Sequence, residues 1–355
     1  MRAELDAALA RVLDSGWYIL GQQGEAFERE FAAWCGAAHG VGVGSGTDAL
    51  RIALLALGVQ PGDEVITVAN AGIPPVAAIV AVGARPVFAD VTPTTHTLDP
   101  DQAATAITAR TRALLVVHLY GHPADMDPLL ALARQHGLLV LEDCAQAHGA
   151  RYKGRLVGTL GHAAAFSFYP TKNLGALGDA GLVLTSDAAI AERARLLRNY
   201  GWRQQYQSEL LATASRLDEL QAAVLRAKLP HLECWNRARR ERAAWYRELL
   251  RGLPLELPGE MPWAEHVYHL YVARTPARDA LRAALSRQGV GSGIHYPTPA
   301  HLQPPYAPFG RGPGSLPVTE QLAQEIVSLP MFPELERPQI EQVAAAVRAA
   351  GLAAV

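Results

Sequence analysis

Residues 163–181 read AAAFSFYPTKNLGALGDAG, an apolar run that turns into a loop of small residues around one lysine. The opening predicts a strand over Ala164 to Phe168, and Pro170, Gly175, Gly178 and Gly181 predict the loop that follows. Lys172 stands in that loop with apolar and small neighbours and no acidic residue until Asp179. Such surroundings strip water from an ammonium group and lower its pKa toward a nucleophilic free amine, which is what a Schiff base requires. Lysines ordinarily lie on surfaces, so this segment by itself leaves a solvated Lys172 open.

From about residue 40 to 200, short β-branched runs alternate with longer stretches rich in alanine and leucine, the pattern of an α/β fold with a mostly parallel sheet. Strands are predicted at Glu64 to Val68, Arg85 to Ala89, Ala113 to His118, Leu138 to Glu142 and Gly181 to Thr185, and helices at Asp48 to Leu57 and Asp127 to His136. Two of these junctions carry chemistry. In GVGSGTDALRIALLAL, residues 42–57, small residues run straight into a helix at Thr47 or Asp48, offering free N–H groups and the positive end of a helix dipole to a phosphate, or plain capping. In LLVLEDCAQAHGA, residues 138–150, an apolar strand delivers Glu142 and Asp143 to the sheet edge at which open α/β folds bind ligands. A carboxylate there either caps the strand end or keeps a pyridine nitrogen protonated, so that a coenzyme ring can accept electrons.

A helical pattern runs from Leu217 to Leu250 and is interrupted at Pro230, where a helix must bend or restart. It predicts a connector between a large domain, residues 1–230 with an N-terminal amphipathic helix, and a small C-terminal αβ domain, residues 231–355. In the latter HVYHLYVAR reads as a strand, Ala277 to Gln288 as a helix and Tyr296 to Pro317 as a Pro-rich loop. A net charge of −2 and a pI near 6.6 give no global attraction to nucleic acid or anionic lipid. The N-terminal segment lacks the apolar core of a signal peptide, and no apolar run is long enough for a membrane span. Cys35, Cys144 and Cys234 form no CxxC pair, and the histidines lack helical metal-site spacing, so no disulfide framework and no metal are expected in what reads as a cytoplasmic protein.

GSGTDAL (44–50), EDCAQAHG (142–149) and SFYPTKNLGALGDAG (167–181), in this order and at these separations, resemble the DegT/StrS-type nucleotide-sugar aminotransferases, a branch of the aspartate-aminotransferase fold (PLP fold type I). The resemblance continues through NYGWRQQY (199–206), residues 215–246 and GIHYPTPAHLQPPY (293–306). It implies a homodimer with shared active sites that uses pyridoxal 5'-phosphate, cycling through pyridoxamine phosphate, to move an amino group from an amino acid such as glutamate to a keto sugar. By motif, Lys172 would hold the coenzyme and shuttle the proton, Asp143 would pair with the pyridinium nitrogen and Gln146 with the phenolic oxygen. Ser167, Gly46, Thr47 and Asp48 would hold the phosphate. His295 and Tyr296 would line the sugar side, with Arg203 and Tyr206 near the nucleotide pyrophosphate. GIHYPTPAHLQPPY resembles the branch that aminates C3 of dTDP-linked 6-deoxysugars; C4 amination, an aminocyclitol substrate and a non-catalytic relative are the alternatives. A dehydratase relative would carry His where Lys172 stands. Two positions depart from the family pattern: Gly72 stands where an aromatic residue covers the coenzyme ring, and Ala214 where an Asn reaches the neighbouring subunit's phosphate.

Overall fold

The runs singled out above become neighbours in one seven-stranded sheet in the computed structural model, which describes residues 1–351. We number its strands β1 (His39–Val43), β2 (Glu64–Thr67), β3 (Arg85–Phe88), β4 (Thr111–Val117), β5 (Leu139–Asp143), β6 (Ala163–Ser167) and β7 (Gly181–Thr185). Their spatial order is β1-β7-β6-β5-β4-β2-β3. Every pairing is parallel except those of β7, which runs antiparallel to both β1 and β6. Each of the six strands predicted in this sheet lies within two residues of its observed bounds. Strand β1 was not predicted, because HGVGV alternates glycine with valine and lacks an uninterrupted β-branched run.

Alternation along β6 divides its side chains between two faces. Phe166 and, just beyond the strand, Phe168 point to the face covered by the helix Gln22–Cys35, where Phe31 meets Phe166 at 4.9 Å and 80° and Phe168 at 5.2 Å and 88° between ring centroids. These edge-to-face contacts bury four phenylalanines with Phe27, each contributing about 1.5–3 kcal/mol by removal from water. Ser167 faces the other way, toward the helix Gly46–Ala56. The N-terminus of Gln22–Cys35 is fixed from a distance: the buried Glu219 carboxylate accepts the N–H groups of Gly21, Gln23 and Gly24 at 2.7–2.9 Å. These are donors that the first turn of a helix cannot satisfy internally.

The connector splits at Pro230 into Glu219–Lys228, a single 3-10 turn Leu229–His231 and Leu232–Leu249. Beyond it, Tyr271–Arg274 pairs antiparallel with Ile326–Leu329. Both pack with the helices Arg278–Arg287 and Arg337–Ala349 around a second apolar cluster that includes Tyr246, Tyr271, Leu285 and Ile340. Only the latter half of HVYHLYVAR is strand. Tyr268 adopts a left-handed φ of 43° with its N–H donated to His266 Nδ1 at 2.9 Å, which ends any extended run there. The Pro-rich stretch after Tyr296 is loop with two 3-10 turns, Ala300–Leu302 and Ala307–Phe309. Among the described residues no helix is long and apolar enough to cross a membrane, and all three cysteines are free.

Candidate active site

Register places Val117, Asp143 and Ala165 side by side, so the carboxyl ends of β4, β5 and β6 open on one point. A cavity of about 310 Å³ lies there. Its walls bring together Gly46, Thr47, Asp143, Gln146, Ser167, Lys172 and Tyr296, residues up to 250 positions apart in sequence.

Lys172 enters the cavity from the loop after β6, with its N–H bonded to the Tyr169 carbonyl at 2.8 Å. Burial pushes its amine below the usual lysine value, while the Asp143 carboxylate opposes that shift. The adjacent Asn173 is buried and makes three hydrogen bonds. Its Nδ2 donates to Asn236 Oδ1 at 2.9 Å and to the Val267 carbonyl at 3.1 Å, and its Oδ1 lies 3.1 Å from His269 Nδ1. Burial drives His269 well below its ordinary pKa, so the neutral ring is the donor in that bond. Asn236 in turn donates to the His148 carbonyl at 2.7 Å.

Alternation along β5 resolves the Glu142–Asp143 pair. Glu142 points away from the cavity into a closed knot, accepting from His118 Nε2 at 3.0 Å and from the N–H groups of Gly158, Leu160 and Gly161 at 2.7 Å. His118, Glu142 and Cys144 bring ligand-type atoms within 4.8 Å of one another, but the second nitrogen of His118 already accepts the Ala124 N–H. Asp143 faces the cavity. Burial raises its carboxyl pKa, opposed first by the Ala145 N–H, which donates to Oδ1 at 3.0 Å, and then by Lys172. Gln146 is oriented by the Tyr120 N–H, which donates to Oε1 at 2.7 Å, leaving Nε2 to donate toward the Tyr296 hydroxyl at 3.2 Å.

The helix Gly46–Ala56 aims its N-terminus into the same cavity, capped by Ser45 Oγ, which accepts the Asp48 N–H at 3.1 Å. Gly46 is required by close approach: a Cβ there would stand 2.4 Å from Cβ of Ser167. The Asp48 carboxylate turns aside, to Arg51 at 3.1 Å and Ser45 Oγ at 3.2 Å, and does not line the cavity.

The remaining candidates are dispersed. His295 Nδ1 lies 2.8 Å from Ser328 Oγ, and its carbonyl accepts the Tyr120 hydroxyl; its ring is outside the cavity lining. Arg203 and Tyr206 sit on a hairpin of Trp202–Gln204 and Gln207–Ser208, away from the cavity of their own chain, with Arg203 paired to Glu192 at 2.7 Å and Glu209 at 2.8 Å. Ala214 pairs with Asn199 at the base of this segment. Sequence reading missed Ser45, Tyr169 and Asp179 in the cavity wall and Tyr120, Asn173 and His269 behind it. Ser45 and Asn173 fall inside the motifs already read, so a capping argument and the position next to Lys172 were the available signals. Tyr120 and His269 carry no local signal.

Similarity to known proteins runs the length of the chain. It is 54% identical over 350 residues to the erythromycin biosynthesis sensory transduction protein EryC1 of Saccharopolyspora erythraea, covering 98% of this chain and 96% of that protein. It is also 54% identical over 349 residues to the dTDP-3-amino-3,4,6-trideoxy-alpha-D-glucose transaminase of Streptomyces venezuelae, covering 98% and 92%. The crystal structure of S. venezuelae DesV in complex with a ketimine intermediate superposes with a TM-score of 0.96 at 55% identity, covering 98% of this chain and 94% of that one. The sequence profile of the DegT/DnrJ/EryC1/StrS aminotransferase family matches residues 1–348, and this protein belongs to that family.

Proposed function

We propose that the protein is a pyridoxal-phosphate-dependent transaminase that moves an amino group from an amino acid, glutamate in this reading, to the C3 ketone of a dTDP-linked 6-deoxyhexose. The observation that carries it is the convergence of Lys172, Asp143 and Gln146 on one cavity with the free N-terminus of a helix. The family is pyridoxal-phosphate-dependent, and the residues present suit that group. A buried carboxylate and a half-buried lysine of lowered pKa share the wall. The Gly46–Ser167 contact brings backbone and hydroxyl together at the helix terminus, where an anion is favoured.

When bound, the coenzyme supplies an electron sink and a carrier for the amino group. Asp143 holds the proton on the pyridine nitrogen, and Gln146 Nε2 donates to the phenolic oxygen. Ser167 and the first N–H groups of Gly46–Ala56 take the phosphate. Lys172 Nζ would hold the coenzyme through its carbonyl carbon and would be the base that takes up and returns the substrate proton.

The segment from Asn199 to Arg216 extends to the neighbouring subunit of a cytoplasmic homodimer in this proposal, bringing Arg203 and Tyr206 near the nucleotide pyrophosphate of the second site. Of the His295–Tyr296 pair, Tyr296 lines the cavity on the sugar side, whereas the His295 ring lies outside its lining. Similarity to the S. venezuelae dTDP-3-amino-3,4,6-trideoxy-alpha-D-glucose transaminase favours C3 amination of a dTDP sugar. The name of EryC1 prompts a regulatory reading, against which the retained set of Lys172, Asp143 and Gln146 argues for catalysis. Supplying glutamate with 3-keto and 4-keto dTDP-6-deoxyhexoses and locating the new amine by NMR tests the assignment. Amination at C4, or on a cyclitol ketone alone, would overturn the C3 choice.

A further inference from the structure

Position 72 opens onto the cavity without a side chain, and the space in front of it is already taken. A Cβ built on Gly72 would stand 3.2 Å from both Cζ and Oη of Tyr296, tighter than ordinary van der Waals contact. The phenol therefore occupies the volume that a side chain at 72 would need. Tyr296 arrives from a segment beyond the connector, tied to Ser328 of the small sheet through the backbone of Gly293 at 3.0 Å. Two groups of the large sheet side seat it: Gln146 Nε2 donates to its hydroxyl, and the Tyr120 hydroxyl donates to the carbonyl just before it. It forms cavity wall beside Asp143 and Gln146, the residues assigned above to the coenzyme ring.

We propose that residues 72 and 296 share one aromatic slot against the coenzyme ring, and that in this chain Tyr296 fills it, acting as a positioning residue for the coenzyme. This rests on the transaminase reading. Aromatic rings in such contact gain stabilisation beyond area burial, so loss of the phenyl ring weakens coenzyme binding while the hydroxyl is secondary. Two large side chains cannot occupy the slot together, because overpacking a filled site is itself destabilising. The two positions must therefore compensate each other.

The test titrates apo protein with pyridoxal 5'-phosphate, following visible absorbance for the Kd and visible circular dichroism for the fixed orientation of the ring. Thermal unfolding of each apo variant checks the fold. Tyr296→Ala is expected to weaken binding about 5- to 10-fold, and Tyr296→Phe to stay within about 2-fold of wild type. Gly72→Tyr alone weakens binding and disturbs the circular dichroism, and Gly72→Tyr combined with Tyr296→Ala binds tighter than either single variant. Should Tyr296→Ala fail to fold, Tyr296→Leu keeps the bulk without the ring and reads the same quantity. Wild-type Kd in the Ala or Leu variant, or a double variant weaker than both singles, overturns the shared slot while leaving the transaminase reading standing. A wild-type chain that takes up no pyridoxal phosphate overturns both.

Discussion

Asp143 at the end of β5 and Lys172 in the loop after β6 face one cavity, and each holds the other toward its charged form. Burial works in the opposite sense on both, raising the carboxyl and lowering the amine. A free amine is needed to attack the coenzyme carbonyl, so capture of pyridoxal phosphate by the apo protein rises with pH, with a midpoint below the ordinary lysine value of 10.5. Asp143→Asn removes the charge that props up the ammonium, and the midpoint moves to still lower pH. Borohydride trapping of added coenzyme across a pH series measures it, and coincident midpoints in the two proteins would show that the groups do not sense each other.

Replacing the amine itself has a sharper outcome. Lys172→Ala is expected to lose irreversible borohydride labelling and to turn over about 10²- to 10⁴-fold more slowly, the usual range for a positioned acid–base group. Peptide mass spectrometry of the wild type should find the reduced coenzyme on Lys172. A label on another lysine would reassign the nucleophile.

Stability depends on a carboxylate far from the cavity. Glu219→Ala strands the N–H groups of Gly21, Gln23 and Gly24 and is expected to cost about 2–3 kcal/mol. Glu219→Gln, which keeps one acceptor oxygen, should lose about half as much. Calorimetric or denaturant unfolding of the two variants gives the order, and equal loss in both would mean that charge rather than hydrogen bonding holds the helix start.

For the shared-site dimer, light scattering should give about twice the 38.0 kDa chain mass. Tyr206 is 78% exposed on its hairpin and Leu211, in the same segment, is fully exposed. Leu211→Asp is expected to shift the protein toward monomer and reduce activity with it. Full activity in a monomeric species would exclude a site built from two subunits.

The sheet was legible because its central strands are apolar runs closed by polar or small residues, and the cavity because three motifs end those strands or begin the helix beside them. Strand alternation puts Glu142 and Asp143 on opposite faces, but which of them faces the cavity was legible only through the family motif. What escaped depends on distant partners. Glycine and valine alternating in β1 read as a strand only beside β7. The left-handed Tyr268 breaks a run that looks uniformly extended. Asp48 sits in the right turn, yet its carboxylate is drawn to Arg51, a choice made by side-chain geometry that no motif encodes.

Both N–H groups and the Oδ1 of Asn173 are bonded to Asn236, Val267 and His269, so the loop that carries the reactive lysine is riveted to chain 63 to 96 residues downstream. A surface loop ordinarily exchanges its amide hydrogens by private, low-cost openings. Opening the Lys172 loop breaks its bonds to the long helix after Pro230 and to the chain entering the strand that follows it. Its amides are therefore expected to be protected from exchange together with those segments, so that the reactive amine keeps its aim for as long as they stay closed.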